Sequence, residues 1–472
     1  MIETEVAARP KIRRAYLMTA AAILVLGGLA VRTEFFSYVS GDYRAFVSLW
    51  YQFIKDNGHF RALKYNFSNY NQPYLYLLAI LSYLPVPMMA GIKSISILFD
   101  LVLAFFTYRI VALRHPNTWW PLLAGAIVLY LPTVVLNSAA WGQVDSAYSA
   151  FGLGGVYFVL RKRPWLACVF FGLAFAFKLQ AVFFFPALLL FVLRKKIPWQ
   201  GLLLIPGVYL LLEVPALLAG ANVGDLIKVY VTQSGTYDQL TLNAPNIYQY
   251  LGSGTTSSVL QIVGIMVTGL ILVALMAPVV VYRSELTPAR IVLVAAISVT
   301  LVPYFLPGMH ERYFYPADAL SVIAAFYLPR RLWAFPILEQ FASLGAYAPY
   351  LLNSRQGGAG GFPGGRFPGG ARGGLPGGFP GGTNQSGATE PPGVVDPGRL
   401  LQRNSDTGQP FGQGGQGGQG GQQLRPPGGG GFGGTTSGTV VVDFWILSTA
   451  MLAGLVLALW AAIQDFRRGG TA

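Results

Sequence analysis

The sequence predicts an all-α, polytopic membrane protein with about 12 transmembrane helices (roughly 11–13). Three observations carry this. Apolar runs recur along the chain, several longer than the roughly 18 to 20 residues that cross ~30 Å of hydrocarbon. Hydrophobic residues make up 53% of the chain and the mean hydropathy is +0.50, whereas charged residues make up only 11%. Lys and Arg gather in short loops between the runs, as membrane anchors do. A β-barrel would instead show alternating segments about ten residues long, which are absent.

The elements follow in order. The first helix, 16–31, comes after Arg9, Lys11, Arg13 and Arg14. No small-residue cleavage site follows it, so it reads as an anchor rather than a removed signal. Next comes a polar loop, in which Phe46, Trp50 and Phe53 recur at helical spacing over 43–55. That pattern predicts an amphipathic helix lying on the membrane surface. Further helices are expected at 94–112, 118–136, 144–160, 165–178, 181–194, 199–219, 258–282, 289–306, 312–328, 331–352 and 440–463. The short pair 165–178 and 181–194 reads as a hairpin with Lys178 and Gln180 near its outer turn.

The segment 72–87 decides the threading. It is apolar, but short, and Pro85 and Pro87 end it. If it crosses, Arg161-Lys162-Arg163 falls outside. If it re-enters or lies at the interface, every basic loop falls inside: the N-terminus, Arg161–Arg163, Arg194-Lys195-Lys196, Arg330-Arg331 and Arg467-Arg468. The second threading is adopted. It places both termini in the cytoplasm and 37–70, 137–145, 178–180, 222–256, 308–312 and 355–439 on the external face. Residues 357–438 are dominated by Gly, with Pro and Gln, and read as a disordered external loop that cannot bury enough apolar surface to order itself.

The formal charge of +14 fits cytoplasmic anchors, not nucleic-acid binding. Cys168 is the single cysteine, so an internal disulfide is excluded and a thiol metal site is not expected. The three histidines show no paired metal-ligand spacing, and neither a phosphate-binding loop nor a dinucleotide fingerprint is present. No cofactor or metal is expected.

In so apolar a chain, ionisable groups at helix ends point to chemistry or recognition. Three clusters stand out: Gly41-Asp42-Tyr43, Trp141-Gly142-Gln143-Val144-Asp145-Ser146 and His310-Glu311-Arg312-Tyr313. Each has a plainer reading. Asp42 can cap the surface helix, and Asp145 can cap the helix that follows it. Trp141 can anchor at an interface or stack on a sugar. Lys178, alone in the run 170–190, can snorkel to the interface or neutralise a phosphate. Arg312 offers a fork for phosphate or carboxylate, with Glu311 as its partner. Asp100 reads as a paired interhelical contact, and Glu213 and Asp318 also fall in or near spans.

The order of these motifs, with Asn71-Gln72-Pro73-Tyr74 after the first and Phe175-Ala176-Phe177-Lys178-Leu179-Gln180 before the last, resembles the GT-C superfamily of integral-membrane glycosyltransferases. The likeness spans roughly residues 15–330. It extends to polyprenyl- and dolichyl-phosphate-sugar glucosyl- and mannosyltransferases, including bacterial relatives of the second GPI mannosyltransferase. The resemblance implies a catalytic base in the first external loop, which matches Asp42. It implies a His-Glu pair, matching His310-Glu311, and a donor-side lysine, matching Lys178. Tyr43, Trp141, Gln143, Asp145, Gln180 and Arg312 complete the expected donor- and substrate-binding set. Where the family reads Tyr-Pro-Pro, this chain has Asn71-Gln72-Pro73, and the Gly-rich insertion is outside the shared pattern.

The expected organisation is a GT-C-like catalytic module over 1–330, an additional helix over 331–352, the Gly-rich loop over 353–439, and a last helix with a basic tail over 440–472. The expected enzyme transfers a hexose from a polyprenyl-phosphate sugar to a glycan or lipid-linked acceptor outside a bacterial plasma membrane, with inversion. The rival expectation is a transporter or flippase of lipid-linked glycans, which would favour inverted repeats and midplane charges.

Overall fold

The computed structural model describes residues 14–234, 238–252, 254–353 and 443–468. The Gly-rich segment and the basic residues before Arg14 lie outside the described residues. Helices occupy every interval where the sequence predicts one. After α1 (Arg14–Thr33), the first loop carries a π-helical turn (Tyr43–Val47), α2 (Ser48–Asp56) and a 3-10 turn (His59–Lys64). Then come α3 (Gln72–Leu81), α4 (Met88–Arg114), α5 (Trp120–Tyr130), α6 (Pro132–Val135), α7 (Asp145–Leu160), α8 (Pro164–Phe177), α9 (Phe185–Leu193), α10 (Leu204–Leu218) and α11 (Val223–Ser234). The chain closes with α12 (Ser258–Val281), α13 (Pro288–Phe305), α14 (Tyr315–Tyr327), α15 (Pro329–Leu332), α16 (Ala334–Asn353) and α17 (Phe444–Arg468). Two short strands, β1 (Thr241–Leu242) and β2 (Met309–His310), pair in parallel.

Among the described residues, six helices are long and apolar enough to cross a membrane, or seven if the bent pair Trp120–Tyr130 and Pro132–Trp141 is one span. Of the other predicted crossings, α16 has 20 residues but is less apolar, and the rest are shorter helices, several of them cut by breakers. Pro132 has no N–H to continue α5, and the axis turns by 52° there. Lys178 is extended (φ −156°, ψ 138°) and separates α8 from a 3-10 turn, Leu179–Phe184. The helix predicted to begin at 312 begins at Tyr315, because Met309 and His310 are held in β2. The disputed segment forms α3, ten residues long. At 1.5 Å per residue that is about 15 Å, half the hydrocarbon thickness.

Polar ties and close packing fix the bundle. Arg32 donates to Asp100 from Nε at 3.0 Å and Nη2 at 2.8 Å, and Ser138 Oγ donates to Asp100 at 2.6 Å. This bears out the interhelical role expected for Asp100. Gly154 and Gly155 let α7 and α8 touch: a Cβ on either would fall 2.3 to 2.7 Å from the ring of Phe170 or Phe171. α14 is buried along its whole length at the centre of the bundle.

The basic loops share one end. Arg194 donates to the carbonyls of Arg283 and Ser284, the latter at 3.0 Å, and Arg290 pairs with Asp465 at 2.8 Å. Pro164, Lys195 and Lys196 line one cleft. Asp145 begins α7 and Arg161 follows its last turn, about 24 Å away at 1.5 Å per residue. The polar clusters therefore lie at the end of α7 opposite the basic loops.

Candidate active site

Two π-helical turns deliver two of the clusters. One, Tyr43–Val47, begins just after Asp42; the other, Leu136–Trp141, ends at Gly142, whose φ of +72° suits glycine. The turn at Gly142 reverses the chain and brings Gln143 and Asp145 back toward the first loop. The third cluster is held by the sheet. Glu311 N donates to Leu242 O at 3.1 Å and Gly308 N to Leu240 O at 2.8 Å, so the loop ahead of α14 is fixed through its backbone.

The three clusters meet. Gln143 Nε2 donates to Asp42 Oδ2 at 2.5 Å, and Tyr70 OH donates to Gln143 Oε1 at 2.9 Å. Lys178 Nζ pairs with Asp145 Oδ1, while Asn137 Nδ2 donates to Asp145 Oδ2 at 2.9 Å. Arg312 lies among all three acids: Nη1 is 2.7 Å from Glu311 and 3.4 Å from Asp42, and Nε is 3.6 Å from Asp145. His310 Nδ1 is 3.5 Å from Glu311 Oε2. The guanidinium stands over the Trp141 ring at 5.6 Å, and the Lys178 ammonium over Tyr70 at 5.4 Å.

Accessibility separates the acids. The Asp42 and Arg312 side chains are 12% and 13% exposed, whereas Asp145 is 0% and Glu311 1% exposed. Asp42 and Arg312 are thus the more exposed members of the cluster. Burial of Arg312 works against its charge, but Asp42, Glu311 and Asp145 together hold its pKa well above the usual arginine value. Burial likewise favours neutral Glu311, yet Arg312 and His310 outweigh it and keep the carboxyl below its ordinary range.

The plainer readings of several residues give way. Asp42 makes no side-chain cap; Ser40 does that work, its Oγ accepting from Tyr43 N at 3.1 Å. Asp145 is the first residue of α7 and caps nothing with its side chain. Lys178 is 4% exposed and does not snorkel, because Asp145 holds it inside. Trp141 is 3% exposed, packed against Tyr347 and Tyr350 at ring distances of 5.1 and 5.6 Å. Tyr43 turns its ring into an apolar cluster with Val47, Trp50 and Tyr51. Gln180 is buried, and its Oε1 has no hydrogen-bond partner.

Other contributors were not singled out from sequence. Tyr70, Asn137, Tyr347 and Tyr350 are ordinary aromatic and amide residues whose roles depend on distant partners. The two last tyrosines come from α16, the helix expected to stand apart from the catalytic module. Tyr350 also accepts from Asn243 Nδ2 at 2.9 Å, which ties α16 to the segment after β1. Among the described residues, no group of three His, Cys, Asp or Glu side chains is arranged to hold a metal ion.

The family model for glycosyltransferase family 87 matches residues 69–307, just over half the chain. The match covers Trp141, Gln143, Asp145, Lys178 and Gln180; Asp42 and His310-Glu311-Arg312 lie outside it. No curated protein matches the chain. With its apolar helices and the match over half its length, this chain is a membrane glycosyltransferase of family 87, a family of the GT-C type.

Proposed function

We propose that the enzyme moves a glucosyl or mannosyl unit from a polyprenyl-phosphate sugar to a glycan or lipid-linked acceptor, with Asp42 as general base. One observation carries this reading: Asp42 is the most exposed carboxylate of the cluster, oriented by Gln143 and touched by Arg312. Asp42 takes the proton of the acceptor hydroxyl as that oxygen bonds to the anomeric carbon. The bond from that carbon to the phosphate oxygen breaks, and polyprenyl phosphate leaves. Phosphate is already a competent leaving group and needs charge stabilisation more than a proton.

Arg312 supplies that stabilisation. When Asp42 gains its proton it loses its charge, so more of the positive charge of Arg312, whose Nη1 stays on Glu311, faces the leaving phosphate. Lys178 plays a supporting part, since Asp145 holds it at depth. Asp145 is closed off and engaged by Lys178, Asn137 and Arg312, which leaves it unsuited to act as a nucleophile. A single displacement follows, with inversion at the anomeric carbon.

The membrane orientation belongs to the same reading. With basic loops gathered at one end, the positive-inside rule puts that end in the cytoplasm and the Asp42 end outside. α16 and the shorter helices then complete about 12 crossings, with α3 re-entering. The experiment is turnover by the purified protein in nanodiscs. Polyprenyl-phosphate mannose or glucose should yield free polyprenyl phosphate and a product of inverted anomeric configuration; retained configuration or no transfer from either donor overturns the mechanism.

A further inference from the structure

The end of the bundle opposite Asp42 has a recess of its own. A cleft of about 430 Å³ opens there, within the roughly 300–1,000 Å³ of ligand sites. Its polar lining is Lys195, Lys196 and Gln200, and its apolar lining includes Pro164, Ile197 and Trp199.

The backbone sets the lysines in place. α9 closes in a tight turn, in which Lys195 N donates to Val192 O at 2.9 Å and Lys196 N to Phe191 O at 2.8 Å. Lys195 takes φ +55°, the left-handed conformation that glycine usually holds after a helix. α7 closes the same way, with Lys162 at φ +54° and Arg163 N donating to Phe158 O at 2.8 Å. Two basic residues therefore stand where backbone geometry alone favours glycine. A lysine beside a helix C-terminus does complement the helix dipole. That does not account for the whole group: Arg161, Lys162, Arg163 and Lys195 are exposed and Lys196 is half-buried.

No anion of the protein answers these five charges. Between Asp145 and Glu213 the chain has neither Asp nor Glu. Among the described residues, none of the five side chains makes an ion pair. Asp465, at the same end, is taken by Arg290. Glu285 is exposed on the loop that Arg194 contacts and pairs with none of them.

Depth and apolar surroundings identify the missing anion. Trp199 is the first residue of the apolar span Trp199–Leu218, so the cleft lies level with the membrane surface, where tryptophan is favoured and lipid phosphates sit. Trp199 and Leu203 are each 65% exposed, and Trp165 and Leu193, next in the chain to cleft residues, are exposed as well. A free anion would use the lysines and leave this apolar surface idle. A lipid uses both, its phosphate on the cations and its chains on the apolar wall.

We propose that Lys195, Lys196, Gln200 and Trp199 form a binding site for the headgroup of an anionic phospholipid. The site stands apart from the Asp42 end and does not depend on the transfer reading. The test titrates the full chain in detergent with phosphatidylglycerol, phosphatidylcholine or inorganic phosphate, and counts bound lipid by native mass spectrometry. Phosphatidylglycerol should fill one site about 10- to 30-fold more tightly than phosphatidylcholine, and inorganic phosphate should not displace it. The double variant Lys195→Gln with Lys196→Gln should lose that preference. Its side chains bond to nothing in the protein, so its melting temperature without lipid should hold. Arg161→Gln with Lys162→Gln removes the same charge outside the cleft and should keep the preference. As a second measurement, phosphatidylglycerol should raise the melting temperature of the parent and of the Arg161/Lys162 variant, but not of the Lys195/Lys196 variant. Equal affinity for the two lipids overturns the site. So does an equal loss in both double variants, which would mean diffuse attraction to a basic surface, and so does displacement by inorganic phosphate, which would mean a soluble anion.

Discussion

Gln143 donates to Asp42 at 2.5 Å across a sequence separation of 101 residues, and this one contact joins the first loop to the start of α7. It explains why a carboxylate next to an apolar bundle is presented in a fixed direction. The same glutamine accepts from Tyr70, so its amide cannot flip without losing both bonds.

Asp42→Asn keeps the shape and removes the ability to take a proton. Because Asp42 caps no helix with its side chain, the melting temperature should hold. Turnover should fall by roughly 10²–10⁴ while donor affinity stays near normal. Near-normal turnover would move the base elsewhere in the cluster.

Arg312→Gln should weaken use of the lipid-phosphate donor by about 1–3 kcal/mol in kcat/KM. Donor-concentration series with and without added polyprenyl phosphate check this. An unchanged donor dependence would reduce Arg312 to a partner for the acids.

Lys178→Met removes the closest cation from buried Asp145 and leaves it Asn137 and the more distant Arg312. The expected loss of stability is about 3–5 kcal/mol, the scale for breaking a buried pair. Lys178→Met with Asp145→Leu should recover much of it, since the unpaired charge is then gone. Thermal melting of both variants decides; equal destabilisation would mean the pair is not the cause.

Glu311 links stability to pH. Its carboxyl is held below its ordinary value in the folded protein, so its pairing stabilises fully above the unfolded pKa of about 4.3 and is lost as the pH falls through the folded value. Stability should therefore drop on acidification below about pH 4, and Glu311→Gln should flatten part of that drop. A variant with an unchanged acid limb would show that other carboxylates dominate it.

Orientation is open to labelling in intact cells on a Cys168→Ala background. Tyr65→Cys, in the first loop, should react with an impermeant thiol reagent, and Arg161→Cys should not. The reverse pattern would invert the proposed topology.

The sequence determined the membrane class, the helix positions, the charge asymmetry and the polar clusters. Those properties are local: an apolar run, a proline or a basic triplet acts on its own neighbourhood. The clusters stood out because ionisable residues are rare here, and the structure does bring Asp42, Gln143, Asp145, Lys178 and Arg312 into one network. What the tertiary structure alone decided is how charge and access are divided. Sequence gives Asp42 and Asp145 the same chemistry and the same option of capping a helix. Only packing buries Asp145 against Lys178 and leaves Asp42 partly exposed beside Arg312, because burial and partner choice depend on segments distant in the chain. The place of Tyr347 and Tyr350 in the site wall was hidden for the same reason.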